Sequence, residues 1–170
     1  MEAPAPTLKL ASLKEAKTIA SLSRDEIEAG LGWRWRADAI TAMIRDPDAI
    51  VVCAYVPTGN NTADQFAGFG IMQYELDHAH LNLLAVVPNY RRLGIARELL
   101  RWLEKSALVA GIDTVALEVR AVNVPARSFY RNAGYLENEY LRHYYRTPDG
   151  KSEAAYRMRR SLRERRFRPS

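Results

Sequence analysis

The chain has 170 residues, the size of one domain, and its 48% hydrophobic and 26% charged residues give the balance of a globular protein. Cys53 is the only cysteine, which excludes a disulfide scaffold, and its place in the apolar run 50–56 reads as a buried thiol in a reducing compartment. The net charge of +5 belongs to the end of the chain: residues 157–170 hold seven Arg and one Glu, so residues 1–156 are nearly neutral. One domain over 1–162 and a basic tail over 163–170 are therefore expected, with nucleic-acid contact only through the tail. No stretch approaches the ~20 apolar residues of a membrane span. The opening MEAPAPTLKL lacks the basic-then-apolar layout of a secretory signal, so a cytoplasmic protein is expected, with no membrane partner.

In chain order, a short strand is predicted at 7–11. Ser12 and Glu15 then form an S-x-x-E capping box that opens a helix with Leu13, Ala16, Ile19 and Ala20 on one side. The stretch GLGWRWR (30–36) is too rich in Gly and Trp for a regular element, and a short helix at 37–45 stops before Pro47. Strands follow at 50–56, 66–75 and 80–87, the last ended by Pro88. Residues 91–110 read as a long amphipathic helix with Ile95, Leu99, Leu100, Leu103 and Leu108 buried, closed by Gly111. A strand at 112–120, a helix at 123–132 and two strands at 134–142 and 153–160 complete the order. Hairpins mixed with parallel crossovers imply a mixed sheet with helices packed on it, an α/β layer architecture.

The junction LLAVVPNYRRLGIARELL (83–100) carries the sharpest chemical signal. A strand ends, a basic turn follows, and a helix opens whose first amides are unpaired and carry partial positive charge, which makes an anion site. Gly94 and Ala96 leave that backbone uncovered, and Arg91, Arg92 and Arg97 add charge. Without an anion, such cations are misplaced at a helix N-terminus. Further on, alternation over 115–120 sets Glu118 and Arg120 on the face opposite Leu117 and Val119. A mid-strand carboxylate reads either as a functional group or as half of a Glu118–Arg120 surface pair. Tyr130 falls on a helical stripe with Ala126, Phe129 and Ala133, which by itself describes core packing.

The R-R-x-G-x-A turn between an apolar strand and a long helix resembles the coenzyme A motif of the GCN5-related N-acetyltransferases. LEVRAVNVPARSFYRNAGY (117–135), followed by YYRTPDGKSEAAYRM (144–158), resembles the bacterial ribosomal-protein-alanine N-acetyltransferases. The resemblance covers residues 66–160. It implies a mixed, mostly antiparallel sheet of six to seven strands flanked by about four helices. It also implies acetyl-CoA as co-substrate, with its pyrophosphate on the amides of Arg92, Leu93, Gly94, Ile95, Ala96 and Arg97, beside Arg91. The pantetheine arm would pair with the main chain of Leu84, Ala85 and Val86 like an added strand. Asn123 matches a cofactor-contacting asparagine, though it also stands where a helix N-cap would.

By the same resemblance Glu118 is the general base that removes a proton from the acceptor amine through water, and Tyr130 is the acid that protonates the departing thiolate. A phenol with an ordinary pKa near ~10 holds its proton at neutral pH, as this role requires. The implied acceptor is an amine, a protein or peptide N-terminus first, with a small-molecule amine or a lysine side chain as the alternative. A monomer or a weak homodimer fits the sequence. Trp33, Trp35, Tyr144 and Tyr145 are the expected acceptor-side residues, and 30–36 and 142–146 are where specificity would diverge. Two positions depart from the family pattern: Ala96 stands for the second glycine, and Val87 for an aspartate before the proline. His78 and His80 lack a third clustered ligand, so no metal site is expected. Asp25, Glu26 and Glu28 read as the solvated face of a helix.

Overall fold

The computed structural model describes residues 5–59 and 62–163. Its helices are α1 (Ala16–Glu26), α2 (Ala37–Arg45), α3 (Ile95–Val109) and α4 (Val124–Asn132). Seven strands, β1 (Thr7–Leu10), β2 (Ala49–Val56), β3 (Gln65–Tyr74), β4 (Ala79–Val86), β5 (Thr114–Arg120), β6 (Leu136–Arg146) and β7 (Ser152–Ser161), form one sheet. Their order is β1-β2-β3-β4-β5-β7-β6, antiparallel at every neighbouring pair except β4–β5. This is the mixed, mostly antiparallel sheet with four helices that the sequence implies.

Period-two alternation divides the core between the two faces of the sheet. In β2, Val52 and Ala54 pack with Leu99, Leu103, Leu117 and Met158, on the side of α3. Val51 and Cys53 pack with Ile19, Ile40 and Phe69, under α1 and α2. Cys53 is buried, as expected, and burial with the nearby Glu15 carboxylate pushes its thiol up to about 12. The Ser12–Glu15 capping box forms, but it opens a single 3-10 turn at Leu13–Glu15 that leads into α1.

One irregularity in β4 shapes the molecule. Ile71 pairs with Leu83 and Met72 with Leu81, so Asn82 is an extra residue, a bulge. Ala79 and Leu81 face the α3 side, whereas after the bulge Leu83 and Ala85 face α1 and α2. Gly68 lets β3 follow this turn: a Cβ there would lie 2.6 Å from the Ala85 carbonyl oxygen.

The long helix begins at Ile95 rather than at 91. A 3-10 turn at Pro88–Tyr90 follows β4, and Arg92 (φ 65°) and Gly94 (φ 77°) adopt left-handed conformations that no α-helix can contain. Leu108, expected in the buried stripe, is 45% exposed near the end of that helix, while Ala107 takes the core position. Strand β6 runs past its expected end at 142 to Arg146, because a bulge between Leu141 and Tyr145, with His143 at φ 55°, resets the register without ending the strand. Of the expected tail, Arg163 pairs with Asp113 at 2.7 Å, and residues 164–170 lie outside the described residues. Among the described residues no helix is long and apolar enough to cross a membrane.

Candidate active site

Strands β4 and β5 share only two pairs, Ala79–Val115 and His80–Ala116. Past them the strands diverge, and the bulge at Asn82 turns the rest of β4 aside. A cleft of about 1230 Å³ opens between the strands. Leu84, Ala85 and Val86 present an edge without a β5 partner to one wall of this cleft, and Glu118 and Tyr130 reach it as well. An unpaired strand edge is a template for an extended ligand. The Asn82 amide oxygen, also on the cleft wall, is buried and has no hydrogen-bond partner among the described residues.

Glu118 is not half of a surface pair with Arg120. Its side chain is 10% exposed; its Oε2 lies 2.5 Å from His80 Nε2, and its Oε1 accepts from Arg157 Nε at 3.0 Å. Burial pushes this carboxyl up, but the hydrogen bonds and charges of His80 and Arg157 outweigh burial and hold it below the usual carboxylate range. At neutral pH it is an ionised, doubly anchored acceptor aimed into the cleft. The same sheet register that binds β4 to β5 at His80 brings the imidazole to it. Sequence reasoning weighed His80 only as a metal ligand and missed this contact, which joins residues 38 apart in the chain.

Tyr130 is 9% exposed, with Phe129 and Tyr135 packed edge-on at ring distances of 5.1 and 5.7 Å. Burial, with the nearby Tyr145, raises its phenol far above the ordinary value, so it keeps its proton at any physiological pH. Core packing and access to the cleft are both true of this residue. Tyr144 and Tyr145, turned by the β6 bulge, meet edge-on at 4.8 Å and line the cleft near Glu118. Asn123 caps α4, its Oδ1 accepting from the Ala126 amide at 3.2 Å, and also lines the cleft.

At the other end, Arg91, Arg92 and Ala96 line the cleft. Arg91 is ion-paired with Glu26 and is not a free cation. Leu93, Gly94, Ile95 and Arg97 belong to the same turn but are not part of the cleft wall. Ile95 points into the core at 2% exposure, while Leu93 and Arg97 face solvent. Gly94 opens α3 with no side-chain cap, and a Cβ there would meet nothing within 4 Å, so the turn has room for a group against its amides.

The loop between α1 and α2 forms the remaining wall. Glu28 is 7% exposed, not part of a solvated helix face: it accepts from the amides of Arg34 (2.7 Å) and Trp35 (3.2 Å) and from Ser23 Oγ (3.0 Å). Arg120 holds the same loop from β5, donating to the Ala29 carbonyl at 2.6 Å while paired with Glu153 at 2.7 Å. Trp35 lines the cleft. Both tryptophans are half-buried against the core under α1 and α2, but Trp33, expected on the cleft wall as well, is not part of it, and the Arg24 and Arg36 guanidiniums lie 5.3 and 4.6 Å from its ring. Glu28 could have been found in the sequence, since a carboxylate two residues before a Gly-rich loop is a ready acceptor for its amides.

Residues 16–135 match the family model described as acetyltransferase (GNAT) family, and the chain belongs to that family. It is 41% identical over 90 residues to the [ribosomal protein bS18]-alanine N-acetyltransferase of Escherichia coli K12, a match covering 53% of this chain and 61% of that protein. It is 39% identical over 85 residues to the N-terminal acetyltransferase B complex catalytic subunit naa20 of Schizosaccharomyces pombe, covering 50% and 47%. The chain thus spans about three-fifths and one-half of the lengths of these curated relatives. The crystal structure of the ribosomal-protein-S18-alanine N-acetyltransferase from Escherichia coli superposes with a TM-score of 0.72 at 28% identity, covering 93% of this chain and 94% of that one. Arabidopsis thaliana NAA60 in complex with a bisubstrate analogue has the same fold, with a TM-score of 0.79 at 18% identity and 92% and 99% coverage.

Proposed function

We propose that the protein transfers an acetyl group from acetyl-CoA directly to the α-amine of a protein or peptide N-terminus. The observation that carries this is the convergence, in one cleft, of an ionised carboxylate, a protonated phenol and an unpaired strand edge. The relatives support the acceptor class: one is named for acetylating an alanine of ribosomal protein bS18, another for an N-terminal acetyltransferase complex.

The residues present fit acetyl-CoA. The main chain of Leu84, Ala85 and Val86 would pair with its amide-bearing arm, and the open turn at Arg92 and Gly94, with the start of α3, would take its phosphates. When bound it supplies the acetyl group as an activated thioester. Glu118 takes the proton of the acceptor ammonium through water, and His80 and Arg157 fix both oxygens of that carboxylate for the task. Tyr130 gives its proton to the departing sulfur. The loop held by Glu28, together with Tyr144 and Tyr145, shapes the acceptor end. A reducing, cytoplasmic setting suits the single buried cysteine.

Release of CoA thiol from acetyl-CoA, measured with peptides bearing free N-termini and in parallel with small amines, tests the reading. Peptide-dependent release supports it; release with small amines alone overturns the acceptor.

A further inference from the structure

The charges lining the cleft do not cancel. Three carboxylates reach it and each is engaged: Glu26 with Arg91, Glu28 with two loop amides, and Glu118 with His80 and Arg157. Among the arginines, Arg91 is neutralised by Glu26 and Arg120 by Glu153. Arg34, Arg92 and Arg146 line the same cleft, are exposed, and have no ion-pair partner among the described residues.

Arg92 stands in the left-handed turn before α3, the end that suits phosphates. The other two stand at the acceptor end. Arg34 precedes Trp35 in the loop pinned by Glu28, and Arg146 follows Tyr145 on β6. Arg34 lines the cleft together with Tyr144 and Glu118, and its charge, with that of Arg157, lowers the Tyr144 phenol against burial and the Glu118 carboxylate, which raise it. Its neighbour Arg36 is used differently, stacked 4.6 Å from the Trp33 ring. Because residues 1–156 are nearly neutral overall, two free guanidiniums at this mouth are a local arrangement rather than a share of general basicity.

Resting on the function proposed above, we infer that the preferred acceptor is a peptide N-terminus followed within its first few residues by Asp or Glu, with Arg34 and Arg146 reading the carboxylates. An extended chain advances at most ~3.5 Å per residue, so the second to fourth residues of the peptide, one to three positions past the amine-bearing one, lie within about 10 Å of it. Arg34 and Arg146, on the α1–α2 loop and on β6, both line this cleft. The guanidinium fork matches a carboxylate. A basic peptide or a polyamine would meet like charge there with no free carboxylate to offset it.

The test is kcat/KM at low and high salt for three peptides that share an N-terminal alanine and carry Asp-Glu, Ser-Gln or Lys-Arg at the next two positions. The expected order is acidic, neutral, basic, with an acidic-to-basic ratio on the order of 5- to 20-fold at low ionic strength that shrinks with salt. The charge-reversed double variant Arg34→Glu/Arg146→Glu is expected to invert the order. Equal rates for the three peptides, or a preference for the basic one, overturn this inference and leave peptide acetylation standing. Acetylation of small amines without any peptide overturns the function proposed above and this inference with it.

Discussion

Glu28 is the residue whose replacement separates acceptor binding from cofactor binding. Its carboxylate satisfies the amides of Arg34 and Trp35 and the hydroxyl of Ser23, at 2.7, 3.2 and 3.0 Å. In Glu28→Ala these three donors lose their acceptor. A buried orphan donor costs about 1–3 kcal/mol, and water re-enters part of this loop, whose Gly32 and Arg34 are already exposed, so roughly 2–4 kcal/mol is lost from the closed loop. At 1.4 kcal/mol per tenfold, that shifts the loop's closing equilibrium roughly 30- to 700-fold toward open. The KM for a peptide acceptor is expected to rise at least tenfold, while the KM for acetyl-CoA stays within twofold, because the β4 edge and the Arg92–Gly94 turn are untouched. Glu28→Gln keeps an oxygen for both amides but gives up the charge and puts an NH2 donor where Ser23 Oγ had its acceptor, so its effect falls between, about 1 kcal/mol. Steady-state kinetics with each substrate varied in turn, alongside thermal unfolding, reads this out. A wild-type peptide KM in Glu28→Ala, or an equal rise in both KM values, refutes the assignment of the loop to the acceptor.

Other perturbations test other parts of the structure. Gly68→Ala places a methyl 2.6 Å from the Ala85 carbonyl oxygen, so β4 must shift; a stability loss of about 1–3 kcal/mol and weaker acetyl-CoA binding by calorimetry are expected. Glu104→Ala strands the buried Arg160, whose guanidinium pairs with Glu104 and packs against Gly134; breaking such a pair costs about 3–5 kcal/mol, a Tm drop of roughly 10 °C or more in a calorimetric scan. Because Glu118 is held below the ordinary carboxylate range, it stays ionised as pH falls through 6 and 5. The kcat/KM for a peptide is therefore expected to rise with pH along the acceptor amine, near ~8, and an additional inflection between pH 5 and 7 that vanishes in Glu118→Gln contradicts that state of the carboxylate.

Much of this molecule is legible in its sequence, for physical reasons. Strands and helices announced themselves by periods of 2 and 3.6, and the Arg-Leu-Gly-Ile-Ala junction announced a strand-to-helix turn. What escaped was non-local or broke a period. The Asn82 bulge reverses the facing of β4, and no composition marks it, yet it is part of what opens the cleft. The left-handed Arg92 shortened α3, because a positive φ is expected of glycine and not of arginine. Glu28 read as solvated from its acidic neighbours, but the chain turns back so that its carboxylate meets amides six and seven residues on. His80 met Glu118, and Arg120 met Glu153, only through strand pairing across the sheet. Glu118 and Tyr130, by contrast, could be singled out from the sequence by family resemblance, and both line one cleft.

Glu118 is proposed to accept the proton of a peptide amine in this cleft. Single-turnover acetylation of an N-terminal peptide by wild type and Glu118→Gln, with acetyl-CoA affinity measured on both, tests it most directly. A fall of 10²–10⁴-fold in rate with affinity changed less than threefold is the predicted result. An unchanged rate in Glu118→Gln contradicts it.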